Sequence, residues 1–277
     1  MTRCVLITGC SSGIGRETAL AFLDEEWDVV ATARDASDIA DLAELGCDTA
    51  SLDVTDPDDV TRVVESTIAG FGRIDCLVNN AGYPQIGALE DIPTEEVHKQ
   101  FEANVYGPHR LIRAVLPHMR ERENGTIVNV SSISGRISVP GSGPYSASKF
   151  ALEAMSDALR MEIAPAGIDV VLIEPGPVAT NFKERADRKM TSIDRSPAYH
   201  ELYQLIEDWQ ALGDAGSIPP STVAAAIVNA ASATQPEPRY VVGGVGKLGT
   251  MGRFLPDRIR DTLYRLVYTV STKRPRE

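Results

Sequence analysis

A glycine-rich loop close to the amino terminus does most to restrict what this chain can fold into. The loop reads Thr8-Gly9-Cys10-Ser11-Ser12-Gly13-Ile14-Gly15 and lies between a short apolar run, residues 4–7, and a helical pattern over residues 16–25. Glycines at such a turn allow the backbone to approach a ligand closely, and the free N–H groups at the start of the following helix bind phosphate. A turn alone also favours glycine, but three glycines at this spacing between a strand and a helix predict a dinucleotide site.

Short apolar segments rich in β-branched residues alternate with helical patterns along most of the chain. The predicted strands are residues 4–7, 28–32, 49–52, 76–79, 126–130, 169–173 and 239–242, and the main predicted helices are residues 16–25, 57–69, 94–119, 145–164, 222–231 and 256–270. Strands that are apolar throughout are typical of parallel sheets covered on both faces. We therefore expect a Rossmann-type doubly wound parallel sheet of about seven strands in three α/β/α layers. With no linker to divide its 277 residues, the chain is expected to form one domain, residues 1–277.

The charge and the cysteines exclude several classes of protein. The formal net charge is −12 at pH 7, which repels phosphate backbones and anionic lipids, so neither nucleic-acid binding nor membrane contact is expected. The four cysteines form no CxxC pair and the four histidines no HExxH motif, so we predict no disulfide framework and no metal site. The first apolar run is too short for a signal peptide, and we expect a cytoplasmic location.

A second group of residues suggests proton transfer. Tyr145 and Lys149 lie four residues apart in a predicted helix, so they share a face and the ammonium group can approach the phenol. We expect such a cation to lower the pKa of the phenol, which would make Tyr145 a proton donor to a carbonyl or an acceptor from an alcohol. One tyrosine and one lysine on an ordinary amphipathic helix would look the same, so the surrounding motifs decide the interpretation.

Together these motifs resemble the short-chain dehydrogenase/reductase family, single-domain type, over residues 3–182. Besides the glycine loop and Tyr145 to Lys149, the sequence carries Leu52-Asp53-Val54, Asn79-Asn80-Ala81-Gly82, Asn104, Ser132 and Pro175-Gly176-Pro177-Val178-Ala179-Thr180 in the order of the family. The glycine loop and the stretch from Tyr145 to Glu153 are most similar to those of hydroxysteroid and retinol dehydrogenases. The cofactor-binding residues that the family's motifs and the cofactor argument below single out are Gly9, Ser11, Ser12, Gly13, Ile14, Gly15, Arg34, Asp53, Val54, Asn80, Ala81, Gly82, Tyr145, Lys149, Pro175, Gly176, Val178 and Thr180.

The resemblance also implies a role for each catalytic residue. Ser132 lies thirteen residues before Tyr145, the usual spacing in the family, so Ser132 rather than Ser131 would bond the carbonyl oxygen. Tyr145 would transfer the proton, Lys149 would hold the nicotinamide ribose, and Asn104 would anchor a water molecule of the proton relay. Donors placed in advance stabilise the negative charge that develops on the carbonyl oxygen during hydride transfer.

The sequence therefore predicts an oxidoreductase that interconverts a carbonyl and an alcohol with a nicotinamide cofactor. Two alternatives remain open. A regulator that senses nucleotides without catalysis could use the same fold, although the complete set Asn104, Ser132, Tyr145 and Lys149 disfavours it. Epimerisation or dehydration of a sugar nucleotide usually comes with a longer substrate domain than the residues after Thr180 provide.

The end of the second strand indicates the cofactor. NAD enzymes of this fold usually place a carboxylate about twenty residues after the glycine loop, where it bonds the ribose 2′-hydroxyl. This chain has Ala33 and then Arg34, whose guanidinium can bind a 2′-phosphate, with Ser12 as a further donor. The sequence favours NADP(H), whereas Asp35, one position later, keeps NAD(H) possible.

The segment after the sixth strand is expected to cover the site, because ligands bind beyond the carboxyl ends of such strands. In this lid segment, residues 181–218, apolar side chains predict an apolar and bulky substrate of steroid-like, retinoid-like or long-chain type, with Gly141, Gly143 and Pro144 forming the opposite wall. These side chains are Phe182, Met190, Ile193, Tyr199, Leu202, Tyr203, Leu205, Ile206 and Trp209.

The helices over 94–119 and 145–164 can expose apolar faces, which predicts a homo-oligomer, a dimer or tetramer as is common in the family. The basic amphipathic tail, residues 254–277, fits lid or interface packing better than a membrane surface.

Overall fold

The structure of the chain is a computed structural model that describes residues 2–213, 216–244 and 255–272. These residues form a sheet of seven parallel strands in the order β3-β2-β1-β4-β5-β6-β7. The strands are β1 Cys4–Thr8, β2 Asp28–Ala33, β3 Asp48–Ser51, β4 Cys76–Asn79, β5 Gly125–Val130, β6 Ile168–Pro175 and β7 Arg239–Val242. The predicted fold class is confirmed, and every predicted strand is found.

The helices cover both faces of the sheet because successive strand residues point in opposite directions. Val5 and Ile7 of β1 join one apolar core, whereas Cys4 and Leu6 join the other. The helices are α1 Gly13–Asp24, α2 Ala40–Glu44, α3 Pro57–Phe71, α4 Thr94–Phe101, α5 Gly107–Glu121, α6 Gly143–Ile163, α7 Phe182–Thr191, α8 His200–Gly213, α9 Pro220–Ser232 and α10 Asp257–Thr272. Side chains of α1 and α9 fill the first core, and side chains of α3 and α5 fill the second.

The predicted single helix over residues 94–119 is wrong in one respect. A π-helical turn, Glu102–Tyr106, separates α4 from α5, and the N–H of Gly107 donates to the Glu102 carbonyl five residues earlier. Residue 108 is proline, which has no N–H for the carbonyl of Asn104 and so interrupts the regular bonding pattern. The interruption places Asn104 at the one irregular turn between the two helices.

The lid segment contains helical turns as expected. It holds α7 and α8, apart from residues 214–215, which lie outside the described residues, and an isolated parallel bridge joins Val178 to Ile218 at its base. The helix α10 of the tail lies against α8 and exposes Ile259, Leu263 and Leu266; residues 254 and 273–277 of the tail lie outside the described residues. Across the part of the chain that is described, no helix combines the length and the apolar character needed to cross a membrane.

Candidate active site

A cavity of about 990 Å³ opens at the carboxyl ends of the strands. Its walls include seventeen of the eighteen predicted cofactor-binding residues, all but Gly15, because the loops after β1, β2, β3, β4 and β6 converge there. The lining residues among those predicted are Gly9, Ser11, Ser12, Gly13, Ile14, Arg34, Asp53, Val54, Asn80, Ala81, Gly82, Ser132, Tyr145, Lys149, Pro175, Gly176, Val178 and Thr180. Gly15 and Asn104 are the predicted residues that do not line it.

The glycine loop is held by close backbone packing. Gly9 and Gly13 adopt positive φ angles of 76° and 59°, a conformation that favours glycine. A Cβ atom on Gly15 would lie 2.3 Å from the Gly9 carbonyl oxygen, so Gly15 supports the loop from behind. Asn80 fixes the loop to the end of β4, because its side-chain amide donates to the carbonyls of Thr8 and Gly9 at 2.9 and 3.1 Å.

Tyr145, Lys149 and Ser132 meet at one wall of the cavity. Tyr145 and Lys149 share a face of α6, Ser132 follows β5, and the Lys149 Nζ lies 5.9 Å from the centroid of the Tyr145 ring. The same Nζ donates to the Val130 carbonyl at 2.8 Å, which fixes the ammonium group beside the end of β5. The predicted trio is therefore brought together.

The electrostatics of this trio differ from the expectation. Burial raises the pKa of Tyr145 to about 12, and a hydrogen bond with Ser132 offsets only part of the rise. Burial also lowers the pKa of Lys149 to about 8, although the Glu153 carboxylate opposes this change. The expected lowering of the phenol pKa is therefore wrong for this structure, because the cost of removing a phenolate from water exceeds the stabilisation by the hydrogen bond with Ser132.

Asn104 lies behind the cavity wall, in the π-helical turn. Its side-chain amide donates to the Tyr83 carbonyl and to Ser148 Oγ, both at 3.1 Å, and its Oδ1 accepts from the Tyr83 N–H at 3.1 Å. A Cβ on Gly82 would lie 2.8 Å from that Oδ1. The Asn104 side chain thus fixes the loop after β4. The backbone carbonyl of Asn104 receives no hydrogen bond from residue 108, because proline has no N–H.

The two residues that bear on the cofactor have different surroundings. Arg34 lines the cavity and is exposed. Asp35 Oδ1 accepts from the N–H and the hydroxyl of Ser37 at 2.9 and 2.7 Å, which also keeps the pKa of Asp35 below its usual value. The Asp35 carboxylate is therefore occupied by the turn that follows β2.

Several apolar side chains of the lid segment pack against neighbouring loops of the domain rather than line the cavity. Met190, Tyr203 and Ile206 form a buried cluster with Ala88, and a Cβ on Gly141 would lie 2.4 Å from Ile206 Cδ1. Of the nine side chains predicted to cover the site, Phe182 lines the cavity, and its ring lies 5.6 Å from that of Tyr145. The others that are described do not line this cavity, and several of them contact the loop after β4 instead; the Trp209 side chain lies outside the described residues.

Sequence reasoning missed several charged residues at the cavity. Arg185, Arg188 and Lys189 of α7 line it, as does Lys99 of α4. Both lysines bond the Glu96 carboxylate at 2.7 Å, and Arg185 donates to Ser12 Oγ at 3.0 Å. Only the spacing of Phe182, Arg185 and Lys189, which share one helical face, could have indicated that α7 presents these side chains together.

Comparison with known proteins gives matches over most of the chain. The family described as short chain dehydrogenase matches residues 3–191. The uncharacterized oxidoreductase YbbO of Escherichia coli is 43% identical over 191 residues, which are 68% of this chain and 70% of YbbO. A 3-ketodihydrosphingosine reductase of Bacteroides thetaiotaomicron is 34% identical over 273 residues, 96% of this chain and 98% of the relative. The crystal structure of a short-chain dehydrogenase from Streptomyces avermitilis superimposes with a TM-score of 0.80 at 35% identity and covers 99% of both chains.

Proposed function

Because the chain belongs to the short-chain dehydrogenase family and is a nicotinamide-dependent oxidoreductase, we propose that it reduces the carbonyl of an apolar, bulky compound with NADPH. The observation that carries this proposal is the meeting of Ser132, Tyr145 and Lys149 at the wall of the cavity beside the glycine loop. Proton donors next to a dinucleotide site are what hydride transfer to a carbonyl requires.

The residues around the cavity fit such a cofactor. Gly9 and Gly13 present bare backbone at positive φ, and no side chain caps the first N–H groups of α1 at Ser12, so these groups are free to bind a pyrophosphate. Lys149 would hold the nicotinamide ribose, and Asp53 and Val54 would lie at the adenine. When bound, the nicotinamide supplies the hydride donor or acceptor.

The chain's own residues supply the proton. Ser132 would bond the carbonyl oxygen, and Tyr145 Oη would give its proton to that oxygen. A phenol with a pKa of about 12 is protonated at neutral pH, which is the form required to donate a proton to a carbonyl oxygen. Asn104 would serve the relay through its backbone carbonyl, which residue 108 leaves without its α-helical donor. Replacing Tyr145 by Phe tests this assignment, as described in the Discussion.

The preference for NADP(H) rests on Arg34 and Ser12. Arg34 is exposed at the cavity and has no carboxylate partner among the described residues, whereas Asp35 bonds Ser37. A guanidinium that is free to form two parallel hydrogen bonds suits a 2′-phosphate. Arg34→Ala should therefore lower kcat/KM for NADPH at least tenfold, about the contribution of one charge-assisted hydrogen bond, and leave that for NADH nearly unchanged. An advantage for NADH that Arg34→Ala does not alter would contradict the preference.

The substrate class rests on Phe182 and on one relative. The Phe182 ring packs on Tyr145 and is partly exposed at the cavity, so it can contact an apolar group attached to the reacting carbonyl. A relative similar over nearly the whole chain is named for reducing 3-ketodihydrosphingosine, a long-chain ketone. Steroid-like, retinoid-like and long-chain carbonyls should all be compared with small hydrophilic ketones, and clearly higher kcat/KM for the latter would overturn the proposal.

A homodimer or homotetramer and the lid role of residues 181–218 complete the proposal. Phe150 and Met161 of α6 are 40% and 74% exposed, and their spacing of eleven residues places them on one side of the helix. Such a face suits pairing with a second copy. Light scattering at micromolar concentration should detect a species larger than the 29.9 kDa chain, and a monomer alone would contradict the assembly.

A further inference from the structure

Three arginines at the glycine-loop end of the cavity have no counter-ion within the described ranges. Arg34, Arg185 and Arg188 line this end, whereas the neighbouring cations Lys99 and Lys189 both pair with Glu96 at 2.7 Å. The chain as a whole carries a net charge of −12, so a group of cations without carboxylates is not explained by its composition. Unpaired cations of this kind mark a place for an anionic ligand.

Arg185 is the best placed of the three to act together with the glycine loop. Its guanidinium donates to Ser12 Oγ at 3.0 Å across 173 residues of chain. Ser12 also directly precedes α1, at the end where the free N–H groups of that helix lie. Arg185 therefore already reaches the residue that the cofactor is expected to contact.

Burial and neighbouring like charges make the charged form of Arg185 unfavourable unless an anion binds nearby. Arg185 is half-buried, and its pKa is lowered first by burial and then by the charges of Arg34 and Arg188. A partly buried cation beside two like charges is unfavourable unless a negative group joins them. A guanidinium has five N–H donors, and the bond to Ser12 uses one of them.

We propose that Arg185 is a third ligand of the cofactor's 2′-phosphate, beside Arg34 and Ser12, and that it links the lid segment to that phosphate. This inference rests on the proposed preference for NADP(H). The 2′-phosphate is favoured over the pyrophosphate because Arg185 lies close enough to Arg34 for their charges to interact, and Arg34 follows β2, at the adenosine end of the fold.

The same helical face connects the phosphate with the reacting centre. Phe182 lies one turn before Arg185 and contacts the Tyr145 ring, and Lys189 lies one turn after it and bonds Glu96. A phosphate bound by Arg185 would hold α7 over the cavity and with it Phe182. The geometry thus links recognition of the phosphate with the position of a side chain at the substrate end.

Equilibrium binding tests the proposal without requiring turnover. The dissociation constants of NADPH, NADH and adenosine 2′,5′-bisphosphate would be measured for the wild type, Arg185→Gln, Arg185→Lys and Arg113→Gln. Arg113 is an exposed arginine of α5 outside the cavity, so Arg113→Gln controls for the loss of one positive charge. For Arg185→Gln we expect weaker binding of NADPH and of the bisphosphate by about tenfold and less than a twofold change for NADH, with Arg185→Lys between these values and Arg113→Gln like the wild type.

Hydrogen–deuterium exchange of α7 gives a second measurement. NADPH should protect the amides of residues 182–191 in the wild type more than NADH does, and Arg185→Gln should remove that difference. Equal weakening of both cofactors would overturn the assignment and move Arg185 to the pyrophosphate, and unchanged binding would overturn it as well. If the wild type binds NADPH no better than NADH, the proposed cofactor preference itself has failed. If the wild type prefers NADPH and this preference is removed by Arg34→Ala but kept by Arg185→Gln, only the assignment of Arg185 has failed.

Discussion

Replacing Lys149 by Met should stabilise the fold at neutral pH while removing most of the activity. Burial lowers the pKa of Lys149 from 10.5 to about 8, and at about 1.36 kcal/mol per pH unit this difference means that the charged side chain costs about 3 kcal/mol in the folded state at pH 7. Met, like Lys, has an unbranched side chain, but it carries no charge. The Val130 carbonyl, which accepts from Lys149 Nζ at 2.8 Å in the wild type, loses this donor in the variant, at a cost of about 1–3 kcal/mol. The net expectation is a gain of up to about 2 kcal/mol in the free energy of unfolding.

The pH dependence separates this reasoning from a general packing effect. Between pH 8 and 10.5 the folded wild type has released the Lys149 proton, whereas the unfolded chain still binds it. The unfolded state then binds more protons, so the stability of the wild type rises with pH across this window. Lys149→Met lacks this rise, so its advantage should shrink by about 1.4 kcal/mol per pH unit above pH 8.

Urea unfolding at pH 7 and pH 9.5, followed by the fluorescence of the buried Trp27, measures both quantities at one fixed protein concentration. Turnover with NADPH is measured on the same samples. A variant that is several kcal/mol less stable than the wild type at pH 7, with a difference that does not change with pH, would refute the argument that Lys149 is held at a cost.

Three further predictions concern the proton donor, the glycine loop and the lid segment. Tyr145→Phe should lower turnover by about 10²–10⁴-fold, because the ring still packs but no proton can move, with cofactor affinity nearly unchanged by fluorescence titration; turnover like the wild type would reject Tyr145 as the donor. Gly15→Ala should weaken NADPH binding at least about tenfold, since its Cβ would lie 2.3 Å from the Gly9 carbonyl oxygen, whereas Gly70→Ala in α3, with no neighbour within 4 Å, should bind normally and gain about 0.5–1 kcal/mol in stability. Tyr203→Phe should speed hydrogen–deuterium exchange in α8 and cost about 1–2 kcal/mol, because its hydroxyl donates to Asp91 Oδ2 at 2.8 Å and accepts from the Ala88 N–H; unchanged exchange would show that the apolar cluster alone holds the lid.

The sequence predicted those parts of the site that local spacing determines. The alternation of strands and helices gave the sheet, and the four-residue spacing of Tyr145 and Lys149 placed both on one face of α6. It could not predict the pKa values of these two groups, because burial depends on side chains that come from distant parts of the chain. The contact between Arg185 and Ser12 spans 173 residues, and no periodicity of α7 indicates which loop its charged face meets.

The lid segment shows the same limit in another form. Its apolar residues were predicted to face a substrate, and Tyr203 and Ile206 instead pack with Ala88 after β4. An apolar side chain on an amphipathic helix is satisfied equally by a ligand or by a neighbouring loop. Hydropathy alone could not choose between them, whereas the contact of Phe182 with Tyr145 required the folded chain.

The π-helical turn Glu102–Tyr106 joins α4 to α5 and contains one more residue than a regular α-helical turn would need. Each residue of an α-helix turns the chain by about 100°, so this extra residue changes the rotational phase of α5 relative to α4. The phase shift lets α4 place Lys99 at the cavity while α5 buries Leu111 and Val115 against the sheet. Such a turn adjusts a helix in the way that a β-bulge adjusts a strand. A deletion of one residue here would remove that extra residue and rotate α5 by about 100° relative to α4.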